Sequence, residues 1–490
     1  MIPHLEMYKM KLKELLQDIE ILELQADLEL EITGVSYDSR RTEPGDLFVA
    51  VKGFESDGHR FIPKALEKGA AAVLCEEAPS AEIPYVRVKD CRLGLALASR
   101  NLFKNPAGEM KMIGLTGTSG KTTSSYLLKH LLESKLDAKV GLIGTNGNWI
   151  GDEYLHTEHT TPESYELHKL FRRMADAGCT HVVMEVSSHS LTLERVAGIR
   201  FDVGVFTNLS QDHLDFHKDM ADYAAAKRRL FSQSGEGWLN GDDAWTPFML
   251  EGARCPCRCF SAKDQNAALH AENIELGADG VRFTAHCEGK SAAVYLGIPG
   301  VFSVYNALGV MAAGLSMGVS LADCADAMSS AKGVKGRMEL VPTDGDYTVL
   351  IDYAHKPDAL EKVLKTLRPV TRGRLICLFG CGGDRDHGKR PMMGRISAEL
   401  ADLSIVTSDN PRTEEPMAII RDILGGMEGC QALQVIEDRE EAIAWALDNA
   451  RCGDVILLAG KGHEDYQVVG KEKHHMDERE IVASVLANRK

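Results

Sequence analysis

Three observations predict an α/β protein of three domains. Short apolar runs with strand character alternate with helical patterns along most of the chain, which is the rhythm of parallel sheets. At 490 residues the chain is too long for one core, and its length suggests about three domains. A glycine-rich run, Gly114-Leu115-Thr116-Gly117-Thr118-Ser119-Gly120-Lys121-Thr122-Thr123, stands between an apolar strand and a helical pattern. In such a turn, backbone N–H groups wrap a phosphate chain at the positive end of the helix.

The elements follow in order. An amphipathic pattern predicts a short helix over 9–22, then strands over 31–36, 46–51 and 71–75 with a helix over 61–68, together a small α/β unit ending near residue 107. From 108 to 335, strands are predicted over 110–115, 140–143, 181–186 and 202–208, with the helix after the glycine-rich run over 124–132. The interval 254–296 reads as shorter strands and turns. From 336 to 490 the α/β rhythm returns, with strands over 347–352, 374–379, 403–407 and 455–459. Polar clusters follow the strands of the last two segments, where open parallel sheets place ligands.

Composition narrows the function classes. A net charge of −16 argues against nucleic acid as the main partner, because no broad basic face exists to release phosphate counterions. No apolar run approaches the roughly 20 residues of a membrane span, and residues 1–16 lack the pattern of a signal peptide. Twelve cysteines are scattered, with one dense cluster at Cys255, Cys257 and Cys259 whose spacing is not that of a zinc ribbon. Thiols in a reducing cytoplasm are the expectation.

Several constellations carry chemistry. In the glycine-rich run, Lys121 is placed to reach the β- and γ-phosphates of ATP and the Thr122 hydroxyl to bind Mg²⁺. Leu115 departs from the strict pattern, standing where its first Gly would be. Glu185 ends a strand ahead of Ser187-Ser188-His189, a natural position for a Mg²⁺ ligand, although a strand-end carboxylate can also serve as a cap. Asp212 and His213 follow the next strand end in the same segment; Lys227, in a helical stretch, reads on its own as a surface lysine. In the last segment, Asp352-Tyr353-Ala354-His355, Gly380 to Asp386, Asp409-Asn410-Pro411-Arg412 and Gly460-Lys461-Gly462-His463-Glu464 each follow a strand. Any one of these loops reads as a turn, but four at four strand ends favour a site. Arg385 and Arg412 offer guanidinium groups that can clamp a carboxylate or phosphate.

These residues resemble the Mur ligases of peptidoglycan synthesis over nearly the whole chain. The resemblance is carried, in order, by Gly117 to Thr123, Glu185-Val186-Ser187-Ser188-His189, Thr207-Asn208-Leu209, Asp212-His213-Leu214-Asp215, Asp352 to His355 and Gly460 to Glu464. Asp38-Ser39-Arg40 with Gly45 to Ala50 is similar to the uridine-binding region of the tripeptide-forming members. Asp409 to Arg412 is similar to the motif of members that add meso-diaminopimelate rather than L-lysine.

The resemblance implies a uridine-binding domain over 1–107, a P-loop ATPase-type domain over 108–335 and a Rossmann-like amino-acid-binding domain over 336–490. It implies an ATP-dependent amide bond between the D-Glu of UDP-MurNAc-L-Ala-D-Glu and meso-diaminopimelate, made through an acyl phosphate. Lys121, Glu185, His213 and Lys227 would be catalytic, with Thr122, Glu185, His213 and a carbamylated Lys227 holding Mg²⁺. ATP would contact Gly117, Thr118, Ser119, Gly120, Lys121, Thr122, Thr123, Asn306, Arg337, Asp352 and His355. Tyr37, Ser39, Phe54, Glu55, Ser56, His159, Thr160, Thr161, Ser187, Leu193 and Arg195 would hold the muramoyl dipeptide. Arg385, Asp409, Asn410, Pro411, Arg412, Gly460 and Glu464 would enclose diaminopimelate. Ser119, His159 and Leu193 depart from the usual Asn, Asn and Gln. A monomer working in the cytoplasm on small molecules, away from nucleic acid and membranes, is expected. The alternatives are a sister ligase adding lysine or D-Ala-D-Ala, a folylpolyglutamate synthase, and a nucleotide-gated binding protein without ligase chemistry.

Overall fold

A computed structural model describes residues 9–53, 56–80, 82–157, 159–331 and 333–489. The chain divides into two compact units, Met1–Phe260 with Gly309–Val319, and Ser261–Leu308 with Ser320–Lys490.

The first unit opens with a five-stranded sheet in the order Ile21–Gln25, Tyr85–Val88, Ala72–Cys75, Asp46–Val49, Gly34–Ser36. All pairs are parallel except the one made by Ile21–Gln25. The helix expected over 9–22 is a single turn, Leu12–Leu15, followed by that strand. Asp18 between them takes a left-handed φ of 64°, which a continuing helix does not allow. Leu12 and Leu15 pack inward on the helix Cys91–Leu102, with Leu47, Leu74 and Val86 in the same core. The strand expected over 31–36 is two short ones, Glu31–Ile32 and Gly34–Ser36, divided at Thr33.

The larger sheet of this unit carries the glycine-rich run. Lys111–Thr116 lies between His181–Glu185 and Phe201–Phe206, with Val140–Gly144 beyond the former and Ser234–Asn240 beyond the latter, all parallel. The chain leaves Lys111–Thr116 toward one edge and later returns on its other side, so its carboxyl end is a topological switch point. The helix Lys121–Leu136 starts there and runs beyond the expected 124–132 at both ends. Core side chains such as Met112, Phe171, Val182 and Phe201 are fully buried.

In the second unit, the interval read as short strands and turns is an antiparallel meander of Leu269–Gly277, Gly280–Cys287 and Lys290–Leu296. A six-stranded sheet follows in the order Glu339–Val341, Thr348–Asp352, Val455–Ala459, Leu375–Phe379, Leu403–Val406, Leu433–Val435. Only its first pair is antiparallel. The near-continuous apolar runs of the central strands fit a sheet covered on both faces.

Candidate active site

The phosphate-type loop of the first unit is built from glycine geometry and a side-chain brace. Gly117 and Gly120 have φ values of 151° and 85°, and a Cβ at Gly117 would collide with the Thr207 hydroxyl. Thr207 Oγ1 donates to Ser119 O at 2.7 Å, while Ser119 N donates to Asn208 Oδ1 at 3.0 Å. Thr118 N donates to Asn208 O at 2.9 Å. Thr207-Asn208 therefore holds the loop, leaving the exposed Ser119 to contribute backbone groups.

Two lysines converge on one carbonyl. Lys121 Nζ donates to Gly117 O at 2.8 Å and Thr118 O at 3.0 Å, and Lys227 Nζ donates to the same Gly117 O at 2.8 Å. Lys227 is buried, not on the surface as its local sequence alone suggests. Burial and, after it, the Lys121 charge push its pKa well below the ordinary lysine value against the opposing pull of Asp212. Burial also lowers Lys121, opposed by Glu185 and Asp212. Tyr223 lies beneath the pair, its ring centre 4.5 Å from Lys227 Nζ and its hydroxyl 3.2 Å from Thr118 Oγ1.

Glu185 is fully buried at its strand end. Its Oε2 accepts from Thr122 Oγ1 at 3.1 Å and Thr145 Oγ1 at 3.2 Å, and its Oε1 accepts from Thr145 N at 3.0 Å. Thr123 occupies the first turn of the same helix. His213 sits at a left-handed φ of 52° with its Nε2 3.6 Å from Asp212 Oδ2, its ring facing His189 and Tyr223. The structure thus joins Thr122 to Glu185, and Lys121 to Lys227. Among the described residues no three His, Cys, Asp or Glu side chains form a ready-made metal cluster. Sequence reading missed Thr145 and the buried His217, which bonds Ser188 Oγ at 2.9 Å and Asp222 Oδ2 at 3.2 Å. Neither stands in a contiguous motif with its partners.

A cavity of about 1020 Å³ in the same unit is lined by Tyr37, Asp38, His159, Glu163, Arg195 and neighbouring residues. Tyr37 Oη donates to Glu166 Oε2 at 2.8 Å, and Ser39 is buried nearby in sequence. Arg195 donates to Thr161 O at 3.1 Å and pairs with Glu163 at 3.3 Å. Thr161 Oγ1 donates to the main-chain carbonyl of Glu185 at 2.8 Å and lies 3.4 Å from Ser187 Oγ. Thr160 Oγ1 lies 2.9 Å from Thr145 Oγ1. Leu193 closes the short helix Ser188–Thr192, which Ser187 caps through Ser190 N. Ser56 is exposed and accepts through its carbonyl from Gly53 N. Phe54 and Glu55 lie outside the described residues.

In the second unit, four strand ends gather two sets of side chains. Asp352 is buried, accepts from Met338 N at 2.8 Å and has its pKa pushed up to about 6 by desolvation. Tyr353 packs at a tilt against His355 and His463, with ring centres 4.5 and 4.8 Å away, and the Arg337 guanidinium lies 5.5 Å from its ring centre. His355 Nδ1 meets Tyr353 O at 2.8 Å. Asn306 is buried on the helix Val301–Ser316.

The other set surrounds Asp409 to Arg412. Asn410 Nδ2 donates to Glu464 Oε2 at 2.8 Å, while its Oδ1 accepts from Lys461 Nζ at 3.0 Å and Val468 N at 2.9 Å. Arg412, at a left-handed φ of 52°, donates through Nη1 to Gly383 O at 2.7 Å. A side chain at Gly383 would collide with the Pro411 carbonyl, and a Cβ at Gly460, whose φ is 112°, would sit 2.9 Å from Asp409 Oδ2. Arg385 is exposed and makes no hydrogen bond or ion pair among the described residues. Sequence reading missed two supports of this set. Arg390 is buried and grips Glu414 through both terminal nitrogens, at 2.8 and 2.9 Å, while also pairing with Asp422. Arg439 and Glu478 form a fully buried pair at 2.8 Å, and Arg439 donates to the carbonyls of Ser408 and Ala459. Both depend on partners remote in sequence.

Family models match the chain in three stretches: "Mur ligase family, catalytic domain" over residues 31–100, "Mur ligase middle domain" over 115–314 and "Mur ligase, glutamate ligase domain" over 336–462. Relatives from Clostridium tetani and Clostridium acetobutylicum, 44% and 46% identical, cover 97% of this chain and 99% of their own length. They are named UDP-N-acetylmuramoyl-L-alanyl-D-glutamate--2,6-diaminopimelate ligase and, in the second case, the same ligase with the suffix 1. A solved structure of a protein of that name matches with a TM-score of 0.78 at 32% identity, over 98% of this chain and 99% of its own. Folylpolyglutamate synthase from Mycobacterium tuberculosis, at 17% identity and a TM-score of 0.56, shares the fold over 75% of this chain and 92% of its own.

Proposed function

The chain belongs to the Mur ligase family, and from that premise we propose that it uses ATP to join meso-diaminopimelate to the D-Glu side chain of UDP-MurNAc-L-Ala-D-Glu, a step of peptidoglycan precursor synthesis. The observation that carries this reading is the convergence of Lys121 and Lys227 on Gly117 O beside the Thr122–Glu185 pair. A carboxylate is a poor acyl donor until it is phosphorylated. Phosphoryl transfer asks the protein for positioning and charge neutralisation more than for covalent help.

The D-Glu carboxylate attacks the γ-phosphorus of ATP, and ADP leaves with the bridging oxygen. The diaminopimelate amine then attacks the acyl carbon, phosphate leaves, and the amine sheds its proton. Lys121 exchanges the carbonyls of Gly117 and Thr118 for phosphate oxygens, and the N–H groups of the loop hold the phosphate chain. Glu185 and Thr122 provide hard oxygens suited to Mg²⁺, which when bound neutralises phosphate charge. His213 completes the set. Lys227 is assigned as a carbamate: its amine, whose proton burial makes easier to lose, would add to CO₂ with loss of a proton, giving an anion that would join the residues holding Mg²⁺. On the second unit, Asn306, Arg337, Asp352 and His355 are assigned to ATP on the family resemblance.

The cavity lined by Tyr37, His159 and Arg195 takes the muramoyl dipeptide; Ser39, Ser56, Thr160, Thr161, Ser187 and Leu193, outside that lining, are assigned to the same substrate on the family resemblance. Arg385, Asp409, Asn410, Pro411, Arg412, Gly460 and Glu464 take diaminopimelate, whose distal carboxylate suits the Arg412 fork. These roles fall on three domains, 1–107, 108–335 and 336–490, in a monomer working in the cytoplasm. No helix among the described residues is long and apolar enough to cross a membrane.

The test is phosphate release from ATP with UDP-MurNAc-L-Ala-D-Glu and each acceptor. Release with meso-diaminopimelate but neither L-lysine nor D-Ala-D-Ala is expected. Release with lysine would discard the specificity, and no release with any acceptor would discard the ligase.

A further inference from the structure

Lys461 has no exposed surface, yet it carries a charge-bearing side chain directly into the Asn410–Glu464 pair. Its Nζ lies 3.0 Å from Asn410 Oδ1 and 3.3 Å from Glu464 Oε2. The Asn410 amide is thereby left one orientation. Its oxygen accepts from an ammonium and from Val468 N, and its nitrogen donates to Glu464. A reversed amide would turn NH₂ toward two donors and its oxygen toward a carboxylate. The backbone is shaped to bring the lysine in. Gly460 and Gly462 on either side take φ values of 112° and 54°, and a Cβ at Gly462 would lie 2.6 Å from the Tyr353 Cβ. An ammonium is costly to bury without partners, so its placement has to be matched by a gain in the pair it completes.

We propose that Lys461 is a positioning residue for the amino-acid acceptor. It locks the Asn410 amide and the Glu464 carboxylate into the one arrangement that receives the acceptor's charged groups, without itself touching that molecule. This rests on the acceptor site proposed above.

The test is steady-state kinetics of Lys461→Met, with each substrate varied in turn and the unfolding temperature measured alongside. Met keeps the length and apolar stem while removing the charge. The expected result is a rise of about tenfold or more in KM for meso-diaminopimelate, the scale of one hydrogen bond to a charged group, with KM for ATP and for the muramoyl dipeptide within about twofold. Lys461→Ala should recover part of its affinity for diaminopimelate when ethylammonium is supplied, and wild type should not respond. Should Lys461→Met fail to fold, the Lys461→Met, Glu464→Gln double variant, which removes the stranded carboxylate charge, is compared with Glu464→Gln alone; a further selective rise in KM for meso-diaminopimelate over the single variant is expected, and no further rise overturns the proposal. A folded variant with unchanged KM for diaminopimelate overturns the proposal. So does an equal rise for all three substrates with a lowered unfolding temperature, the signature of a merely structural lysine. If wild type turns over another acceptor and not diaminopimelate, the acceptor reading has failed; a selective KM rise for that other acceptor in Lys461→Met would still support the positioning role.

Discussion

The phosphate loop of the first unit and the strand-end network of the second solve opposite problems with the same residue type. In the loop, Lys121 rests on backbone carbonyls, partners that an incoming phosphate can replace. In the network, Lys461 is tied to side chains that are themselves fixed, and nothing in the arrangement invites exchange. A lysine that must follow a phosphate between ground and transition state is held by main-chain carbonyls alone. One that must define the shape of a receptor is tied to two side chains that also bond each other.

That contrast can be broken at graded levels. Lys121→Ala removes the charge meant to follow the phosphate, so kcat should fall by about 10³-fold, measured as phosphate release, with unfolding temperature little changed. A fall below tenfold would place Lys121 with the fixed lysines. Arg412→Ala should raise KM for diaminopimelate by roughly 10- to 100-fold and leave that for ATP nearly unchanged. Equal effects on both substrates would sink the specificity assigned to that guanidinium.

The third expectation concerns pH. Asp352 titrates near 6 in the folded protein, above the ordinary carboxylate value, so the native state binds its proton more tightly than the unfolded chain. Its stabilising contribution is complete below pH 4 and is lost as pH rises through about 6. Asp352→Asn should therefore gain relative to wild type between pH 4 and pH 8, by up to about 3 kcal/mol. Thermal unfolding at both pH values measures it, and a difference independent of pH would refute the buried-carboxylate account. The smallest effect belongs to Ser119→Asn. Ser119 serves the loop through its N–H and carbonyl, so KM for ATP should stay within about twofold.

What could be read from the chain divides along the same line. The glycine-rich loop was legible because its parts are contiguous: strand, turn glycines, Lys121 and Thr122 occupy one short stretch. The strand-end loops Asp409 to Arg412 and Gly460 to Glu464 were legible as polar clusters after apolar strands. Their mutual bonds were not, because Asn410 meets Glu464 and Lys461 only after the sheet has placed their strands together. Lys227 looked like a surface residue because its helix gives no sign of what packs on it. At the start of the chain an amphipathic spacing mimicked a long helix, and the turn at Asp18 with the edge pairing of Ile21–Gln25 prevailed over it. The strand Tyr85–Val88 and the helix Cys91–Leu102 were not foreseen, although Asp90 caps that helix by accepting from Arg92 N and Leu93 N.

The pair Arg439–Glu478 has a consequence for how the gene can be damaged. Glu478 is the first residue of the helix Glu478–Ala487, and its carboxylate is what neutralises a guanidinium gripping the carbonyls beside Asp409 and Gly460. A stop codon just upstream of that helix would spare every residue assigned to a substrate and still remove the charge partner of Arg439 together with the buried Val482, a defect worth about 3–5 kcal/mol or more. Truncations there should read as null alleles, although no motif is lost.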